Sequence, residues 1–138
     1  MFINLSNHPS VGWGEAQLAE ASAYGEVVDL PFPDIRPEDG PDVIAELADR
    51  MVLCVRELAA VRCAAGPSSD RETDGLELPE AGTLTVHVMG EMTFTYAVVS
   101  RLKDLGIPCV ASTTDRAVTE LPYWRKVSEF TFVRFRSD

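Results

Sequence analysis

The sequence predicts an α/β protein, a small Rossmann-like three-layer sandwich with a mostly parallel sheet. First, residues 83–114 read as strand, tight turn, helix and strand, and a unit of this kind within one sheet has parallel strands. Second, two further strand–helix pairs precede this unit, so strands and helices alternate along the chain. Third, the period-two pattern over residues 130–136 predicts a terminal edge strand that is antiparallel to its neighbour.

The individual elements follow from hydrophobic periodicity and from the residues that end each run. Gly25 and Gly106 stand where helix C-caps belong, and Pro108 prevents the last helix from continuing. Residues 66–82 are polar and predict a long loop inside the domain, and residues 115–124 predict a second loop. The other predicted elements are a strand over 2–5, a helix over 13–24, a strand over 26–30, a helix over 42–63, a strand over 84–88, a helix from about 91 to 105 and a short strand over 109–111.

Length and composition indicate one folded domain over residues 1–138. The 138 residues are 46% apolar, which is enough for a core, and no stretch approaches the roughly 20 apolar residues of a membrane span. The N-terminus lacks the basic start and apolar segment of a signal peptide, so we expect a cytoplasmic protein without a membrane partner. The cysteines have no CxxC spacing and are expected to be buried small hydrophobes in a reducing compartment: Cys54, Cys63 and Cys109.

The formal net charge of −10 argues against one class of partner. An acidic protein repels long polyanions, so general DNA or RNA binding is disfavoured. The charge is uneven, since residues 101–138 hold seven basic and five acidic side chains whereas residues 1–100 hold five and seventeen. A small phosphate ligand in a local site is compatible with this balance, and the basic tail is the region that offers positive charge.

The predicted parallel strands end in residues suited to ligand binding. Their carboxyl ends gather at one edge of the sheet, where open α/β sheets bind ligands. Arg116 at this edge either pairs with a phosphate or makes a surface ion pair. The residues at the strand ends are Ser6, Asn7 and His8, then Pro31, Phe32 and Pro33, then Met89, Gly90 and Glu91, and finally Ser112, Thr113, Thr114, Asp115 and Arg116.

The common nucleotide and metal motifs are absent from the sequence. No GxGxxG follows the first strand and no GxxxxGK[ST] loop occurs, which argues against NAD and ATP. No Cys/His cluster has ligand spacing, so neither a metal nor a cofactor is predicted. Ser6 has no identified triad that would activate it as a nucleophile. The turn at residues 90–93 can hold an anion through backbone N–H groups, although Glu91 opposes this unless it faces away.

Several residues have both a structural and a functional interpretation. His8 lies in a loop and either contacts a ligand, with a possible acid–base role, or makes a loop hydrogen bond. Glu91 is either a catalytic base or a capping or salt-bridge residue, and Thr93 is a good N-cap. Trp13 either belongs to the core or stacks on a base. His87 alternates within a strand and is interpreted as structural.

The arrangement resembles the small stand-alone proteins of CRISPR loci that have a CARF-type fold (CRISPR-associated Rossmann fold). Residues 4–9, Asn-Leu-Ser-Asn-His-Pro, are similar to the Ser-His-Pro loop after strand one of some short members. Residues 89–95, Met-Gly-Glu-Met-Thr-Phe-Thr, stand where that superfamily carries its second ligand-binding turn. The fold-level likeness covers most of the chain, whereas the motif likeness covers these two stretches and departs from the more typical Gly-Gly-Thr-Lys-like turn.

This resemblance implies a homodimer that binds a cyclic oligoadenylate second messenger. It implies a ring nuclease that cleaves this ligand without metal, by in-line attack of a ribose 2′-hydroxyl on the adjacent phosphate, and so switches off CRISPR type III signalling. His8 is then the residue for proton transfer, and Arg116 neutralises charge. The other implied site residues are Ser6 and Asn7 in the first loop and Met89, Gly90, Glu91, Met92, Thr93 and Thr95 in the second. The reasoning on the residues themselves adds Trp13, Ser112, Thr113 and Thr114 as ligand-binding residues.

Three other functions stay open. A non-cleaving sensor or sponge would bind the same nucleotide without turnover. A nucleoside deoxyribosyltransferase-like enzyme would use Glu91 as a nucleophile or base, and it would release free base and lose activity on Glu91→Gln. A structural or interaction protein would have no small ligand, so substitutions at Ser6, Asn7, His8 and Thr93 would leave every assay unchanged.

Overall fold

A computed structural model of the protein describes residues 1–64 and 84–137, and the loop predicted over residues 66–82 lies outside this part of the chain. The described residues form one sheet with helices on both faces. The strands are β1 (Phe2–Ser6), β2 (Val27–Asp29), β3 (Thr85–Met89), β4 (Cys109–Leu121) and β5 (Arg125–Ser137). The helices are α1 (Glu15–Ala23), α2 (Pro41–Ala64) and α3 (Met92–Asp104), with short 3₁₀ turns at Ser10–Gly12 and Pro122–Trp124.

The sheet has the strand order β2-β1-β3-β4-β5. β1 pairs in parallel with β2 on one side and with β3 on the other, and β3 pairs in parallel with β4. β5 is antiparallel to β4 at the edge. This topology confirms the predicted α/β class, the mostly parallel Rossmann-like sheet and the antiparallel C-terminal edge strand.

Two cores form because successive residues of a strand point to opposite faces of the sheet. The larger core joins one face of the sheet to α2 and α3, and it includes Ile3 and Leu5 of β1 with Val86 and Val88 of β3. The opposite face carries a smaller aromatic cluster, which α1 covers. The buried members of this cluster are Phe2, Trp13, Ala21, Val110 and Phe135.

The side of α2 that faces the sheet does not include Cys54. The helix packs on the larger core through Ile44, Ala48, Val52, Val55 and Ala59. Cys54 is exposed, so its predicted burial is wrong. An α-helix turns about 100° per residue, which carries Cys54 away from the face of Val55. Cys109 is half-buried, and the side chain of Cys63 lies outside the described residues.

The loop predicted over residues 115–124 is wrong, because β4 continues to Leu121 and β5 begins at Arg125. Each strand has 13 residues, which is long for a globular domain. Every residue from 114 to 131 is exposed, so this outer part of the hairpin is a two-stranded ribbon, here called the arm. The residues predicted as a loop are instead paired across the two strands, as when Arg116 lies opposite Phe130.

A β-bulge breaks the strict alternation predicted for the tail. Thr113 pairs with Arg134 but Thr114 pairs with Phe132, so Val133 has no partner in the register. The bulge turns Phe132 to the same face as Phe135, and both rings join the aromatic cluster. The prediction that these two residues point to opposite faces is therefore wrong, because a bulged strand loses its period of two at the extra residue.

The helix ends agree closely with the predicted ones. Gly25 and Gly106 have φ angles of 127° and 73° and follow the ends of α1 and α3, as the C-cap prediction requires. The N-cap of α3 is Glu91 rather than Thr93. Within the ranges 1–64 and 84–137, no helix has both the length and the apolar character that crossing a membrane requires.

Candidate functional site

A polar network crosses the otherwise apolar sheet on the face that α1 covers. It contains Asn4 and Ser6 of β1 and His87 of β3, which are 1%, 7% and 2% exposed. The register places Asn4 directly beside His87. Ser112 of β4 completes the row at the carboxyl edge and is half-buried. The network therefore joins the interior of the sheet to the edge where ligands are expected.

Asn4 is the centre of the network and satisfies all four of its amide positions. Its Nδ2 donates to Asp29 Oδ1 at 2.7 Å and to the His8 carbonyl at 2.9 Å. Its Oδ1 accepts from Ser6 Oγ at 2.8 Å and lies 2.9 Å from His87 Nδ1. The reversed amide would place its oxygen against two acceptors, so the contacts fix its orientation. His87 Nδ1 must then carry the hydrogen, which leaves the Nε2 lone pair free.

His87 is held neutral by its surroundings. Its ring lies among three aromatic rings, with centroid distances of 6.1 Å to Phe2, 5.7 Å to Trp13 and 5.2 Å to Phe135. Burial, reinforced by the nearby charge of His8, lowers the pKa of His87 to about 4. At neutral pH the imidazole is therefore an uncharged group with one donor and one acceptor.

Ser112 is the outermost residue in this chain of hydrogen bonds. Its Oγ lies 3.3 Å from His87 Nε2 and 2.8 Å from Met89 Sδ. A hydroxyl has one hydrogen, so it donates either to the imidazole or to the thioether. In the first state the Ser112 oxygen has its lone pairs available at the carboxyl edge, where a ribose hydroxyl or another donor can approach.

The loop after β1 is clamped through one backbone carbonyl. The His8 oxygen lies within hydrogen-bond distance of Asn4 Nδ2 at 2.9 Å, Trp13 Nε1 at 3.0 Å and Ser6 Oγ at 3.1 Å. The His8 N–H also donates to Ser6 Oγ at 3.2 Å. The His8 side chain itself is exposed. A rigid backbone thus presents a free imidazole at the carboxyl edge.

Asp29 at the end of β2 fixes the same loop from the other side. Its carboxylate accepts from the Ser10 N–H at 3.0 Å and the Ser10 hydroxyl at 2.9 Å, in addition to Asn4. Burial by itself raises the pKa of Asp29, but the hydrogen bonds from Asn4 and Ser10 outweigh it and lower that pKa. Asp29 is therefore an anion that positions the loop.

Glu91 caps the N-terminus of α3. One carboxylate oxygen accepts from the Thr93 N–H at 3.1 Å, the other accepts from the Phe94 N–H at 2.8 Å, and both contact the Thr93 hydroxyl. The Phe94 N–H, followed by the Thr93 hydroxyl and N–H, lowers the pKa of Glu91. Both oxygens are engaged in capping, so this geometry favours the structural interpretation of Glu91 and occupies the N–H groups that an anion would need.

Gly90 is required by the packing of the neighbouring loop. A Cβ atom built on Gly90 would overlap the ring of Phe32, which follows β2. The Phe32 ring in turn packs edge-on against Phe94, with 5.1 Å between centroids. The turn after β3 is thus fitted against an aromatic ring rather than left open for a ligand to approach the backbone.

The remaining predicted site residues lie in different surroundings. Asn7, Met92 and Thr93 are exposed near the edge. Trp13 is 9% exposed and bonds His8, so it belongs to the core and offers no surface for a base. Thr95 Oγ1 is buried and has no hydrogen-bond partner in the described chain. Thr113 Oγ1 donates to the Arg134 carbonyl at 3.0 Å.

Arg116 lies on the arm rather than at the edge of its own chain. Its guanidinium carbon is 5.8 Å from the centre of the Phe130 ring, and its nitrogens donate to Ser128 Oγ at 3.1 and 3.3 Å. Arg116 is four residues beyond Ser112 along the strand, or about 13 Å. The predicted grouping of Arg116 with the other strand-end residues is therefore wrong within one chain.

Sequence reasoning missed Asn4, Asp29 and His87 as members of the site. A signal was present, since Asn4 and His87 are polar residues in the middle of two strands that are mostly apolar. A buried polar residue in a central strand needs a partner, and the adjacent parallel strand is where that partner lies.

Within residues 1–64 and 84–137, no three His, Cys, Asp or Glu side chains converge as a metal site would require.

Comparisons with known proteins give one result. No curated protein matches the chain, and no solved structure matches it. Residues 1–136 match one family model. With this coverage, the chain belongs to the family described as the uncharacterized protein MJ1673 family.

Proposed function

We propose that this protein binds a cyclic oligoadenylate at the carboxyl edge of its sheet and cleaves it without a metal, which would end CRISPR type III signalling. The observation that carries the proposal is the clamped loop. Asn4 Nδ2 and Trp13 Nε1 donate to the His8 carbonyl while the His8 imidazole is exposed. Such a fixed backbone positions a proton-transfer group without an entropic cost at the moment of reaction.

The reaction is an in-line transfer within the ligand. His8 takes the proton of a ribose 2′-hydroxyl while the oxygen of that hydroxyl forms a bond to the adjacent phosphorus. The bond from phosphorus to the 5′-oxygen breaks, and that oxygen takes a proton from solvent. The products are a linear oligoadenylate with a 2′,3′-cyclic phosphate at one end and a free 5′-hydroxyl at the other.

The neighbouring residues have supporting roles. Ser6 is occupied by the loop, since its Oγ contacts Asn4 and the His8 backbone, so it positions His8 and is not the nucleophile. Asn7 and Ser112 are available to bond ribose or phosphate oxygens. His87, which is neutral, accepts from the Ser112 hydroxyl in one of the two states of that hydroxyl. A neutral imidazole serves here because a charged one would lie unpaired among apolar rings.

The rival enzyme has less support at the site. A deoxyribosyltransferase-like reaction needs a free carboxylate at the strand end, whereas both Glu91 oxygens cap α3. A sensor or sponge would use the same edge and the same contacts as the ring nuclease. Turnover is therefore the property that separates these two.

The test is incubation of the purified protein with cyclic tri-, tetra- and hexa-adenylate in EDTA, followed by chromatography and mass spectrometry. We expect linear products that carry a 2′,3′-cyclic phosphate. Tight binding of one ring without products would identify a sensor or sponge. If none of the three rings binds or reacts, the cyclic oligoadenylate proposal is wrong, and release of free base from nucleosides would then favour the Glu91 enzyme.

A further inference from the structure

Ser112, His87 and Asn4 form a chain of the kind that activates a serine nucleophile. Ser112 Oγ lies 3.3 Å from His87 Nε2, and His87 Nδ1 lies 2.9 Å from Asn4 Oδ1. A nucleophile beside a histidine, with a third group that orients the ring, is the arrangement that unrelated serine and cysteine hydrolases share. Ser6 Oγ instead contacts Asn4 and the His8 backbone, so the serine with an imidazole partner is Ser112.

The hydrogens along this chain are directed as base catalysis requires. The orientation of the Asn4 amide places a hydrogen on His87 Nδ1, so the lone pair of Nε2 is directed at Ser112. The N–H of Ser112 already donates to Met89 Sδ at 3.2 Å, and a thioether is a weak acceptor. The neutral imidazole is the stronger acceptor of the two, so the Ser112 hydroxyl donates to it.

Met89 covers the hydroxyl of Ser112 and occupies the place that a substrate carbonyl would take. Its Sδ is 2.8 Å from Ser112 Oγ and 3.2 Å from the Ser112 nitrogen. The pairing of β3 with β4 ends at His87 and Val110, so this N–H lies beyond the ladder. A carbonyl in the same place would have its carbon against Oγ and its oxygen against the N–H, which is how a nucleophile's own N–H contributes to an oxyanion hole. Met89 is 36% exposed, and its side chain is flexible enough to move aside.

We propose that Ser112 is a nucleophile that accepts the acyl group of a neutral ester, with His87 as its base and Asn4 as the residue that orients the base. This activity is separate from the proposed ring cleavage and does not rest on it. The group now in contact with Oγ and the N–H is a thioether, so an uncharged acyl group fits this place. Asn4 orients the imidazole without giving it a full negative charge, so the ester must have a good leaving group, such as an aryl alcohol or a thiol.

The reaction transfers the acyl group first to the serine and then to water. Ser112 Oγ bonds the acyl carbon while its proton passes to His87 Nε2. The bond from that carbon to the leaving oxygen or sulfur breaks, the leaving group departs as an anion with the electron pair, and the imidazole loses the proton to solvent. Water then attacks the acyl carbon and gives a proton to His87 Nε2, and Ser112 Oγ recovers that proton as the carboxylic acid departs.

The first test measures covalent labelling of Ser112 by phenylmethanesulfonyl fluoride, which forms a stable sulfonyl ester with an activated serine and releases fluoride. Peptide mass spectrometry locates the label. We expect the label on Ser112 and its loss in Ser112→Ala. Ser100→Ala changes an exposed serine of α3 and is the control, which should leave the labelling rate unchanged. A folded wild-type protein that carries no label on Ser112 would overturn the proposal.

The pH dependence of the labelling rate identifies the base. Burial, and to a smaller extent the charge of His8, lowers the pKa of His87 to about 4, so the imidazole can accept a proton at every pH from 5 to 9. A base of this low pKa works slowly, so labelling is followed over hours. We expect a rate that is flat over this range, whereas a rise of about tenfold per pH unit would show that hydroxide and not His87 removes the proton. The other titratable side chains on the elements packed around His87 are Asp29, Glu20 and Tyr24.

Two further variants test the base and the covering side chain. His87→Gln should lower the labelling rate at least about 100-fold, which is the usual contribution of a general base. Met89→Ala keeps all three groups of the chain and uncovers Ser112, so it should raise the rate several-fold. Release of nitrophenolate from p-nitrophenyl acetate tests an acyl substrate directly and should fall to the background rate in Ser112→Ala. Equal labelling rates in the wild type and a folded His87→Gln would overturn the proposal, and if that variant does not fold, the pH profile of the wild type decides.

Discussion

The amide oxygen of Asn4 and Nδ1 of His87 lie 2.9 Å apart in the middle of the sheet, on two adjacent parallel strands. Burying either residue without the other would lower the stability of the fold, because a buried polar group without a partner loses its hydration. Together they satisfy each other and extend outward, through Asp29 on one side and Ser112 on the other. This pair links the packing of the core to the arrangement of the carboxyl edge.

The stability of the protein should depend on pH through His87. Its pKa falls from 6.5 to about 4 on folding, so the unfolded chain binds a proton at a higher pH than the folded chain does. Stability is therefore greatest above pH 6.5 and is lost as the pH falls toward 4, by about 3 kcal/mol in total. Urea denaturation between pH 7.5 and 4 measures this loss.

Variants at the two histidines test whether His87 causes this pH dependence of stability. His87→Gln should flatten the curve between pH 6.5 and 4, whatever its effect on the overall stability. His8→Gln removes the exposed imidazole, whose charge is the smaller of the two causes of the His87 shift, so this control should keep most of the wild-type slope. Equal slopes in His87→Gln and the wild type would show that His87 is not the group responsible.

Asn4→Asp should strongly destabilise the fold. The change replaces the amide donor group with a carboxylate, which then faces the Asp29 carboxylate across the 2.7 Å contact. A buried, unpaired charge typically costs about 3–5 kcal/mol, so we expect a loss of this size in urea denaturation at pH 7.5. Asn7→Asp introduces the same charge on an exposed residue of the same loop and should change stability by less than about 0.5 kcal/mol. Similar losses in both variants would contradict the role of Asn4.

Gly90→Ala should destabilise the turn after β3. A methyl group at this position overlaps the Phe32 ring, and such overpacking costs about 1–3 kcal/mol. Gly12→Ala is the control, because a Cβ atom at Gly12 meets nothing within 4 Å. Thermal and urea denaturation give both values.

A double-variant cycle checks the cause of that loss. Phe32→Leu in the Gly90→Ala background should recover part of the stability, since the smaller side chain leaves room for the methyl group. If the two losses simply add, the overlap with Phe32 is not the reason that residue 90 is glycine.

The sequence predicted the order of the elements because that order depends on local signals. Gly25 ends α1 and Pro108 separates α3 from β4, and both effects are properties of single residues. The alternation in β3 likewise predicted which residues of that strand face the same side. The pairing of Asn4 with His87 was not predictable in this way, because register depends on contacts between segments that are 83 residues apart.

The arm was missed for a related reason. Charged residues such as Asp115, Arg116 and Glu120 are poor strand formers when taken singly. In the hairpin their partners stabilise them, as Phe130 does for Arg116 and Lys126 does for Glu120. The bulge opposite Thr113 has no local signal either, since it depends on where the ring of Phe135 can be buried.

The most direct test of the central claim compares turnover of a cyclic oligoadenylate in EDTA by the His8→Ala and Glu91→Gln variants. His8→Ala removes the imidazole but keeps the clamped carbonyl, so we expect kcat to fall at least about 100-fold while the fold is retained. We expect Glu91→Gln to keep turnover within a few-fold of the wild type. Full activity in His8→Ala, with activity abolished in a folded Glu91→Gln, would contradict the account.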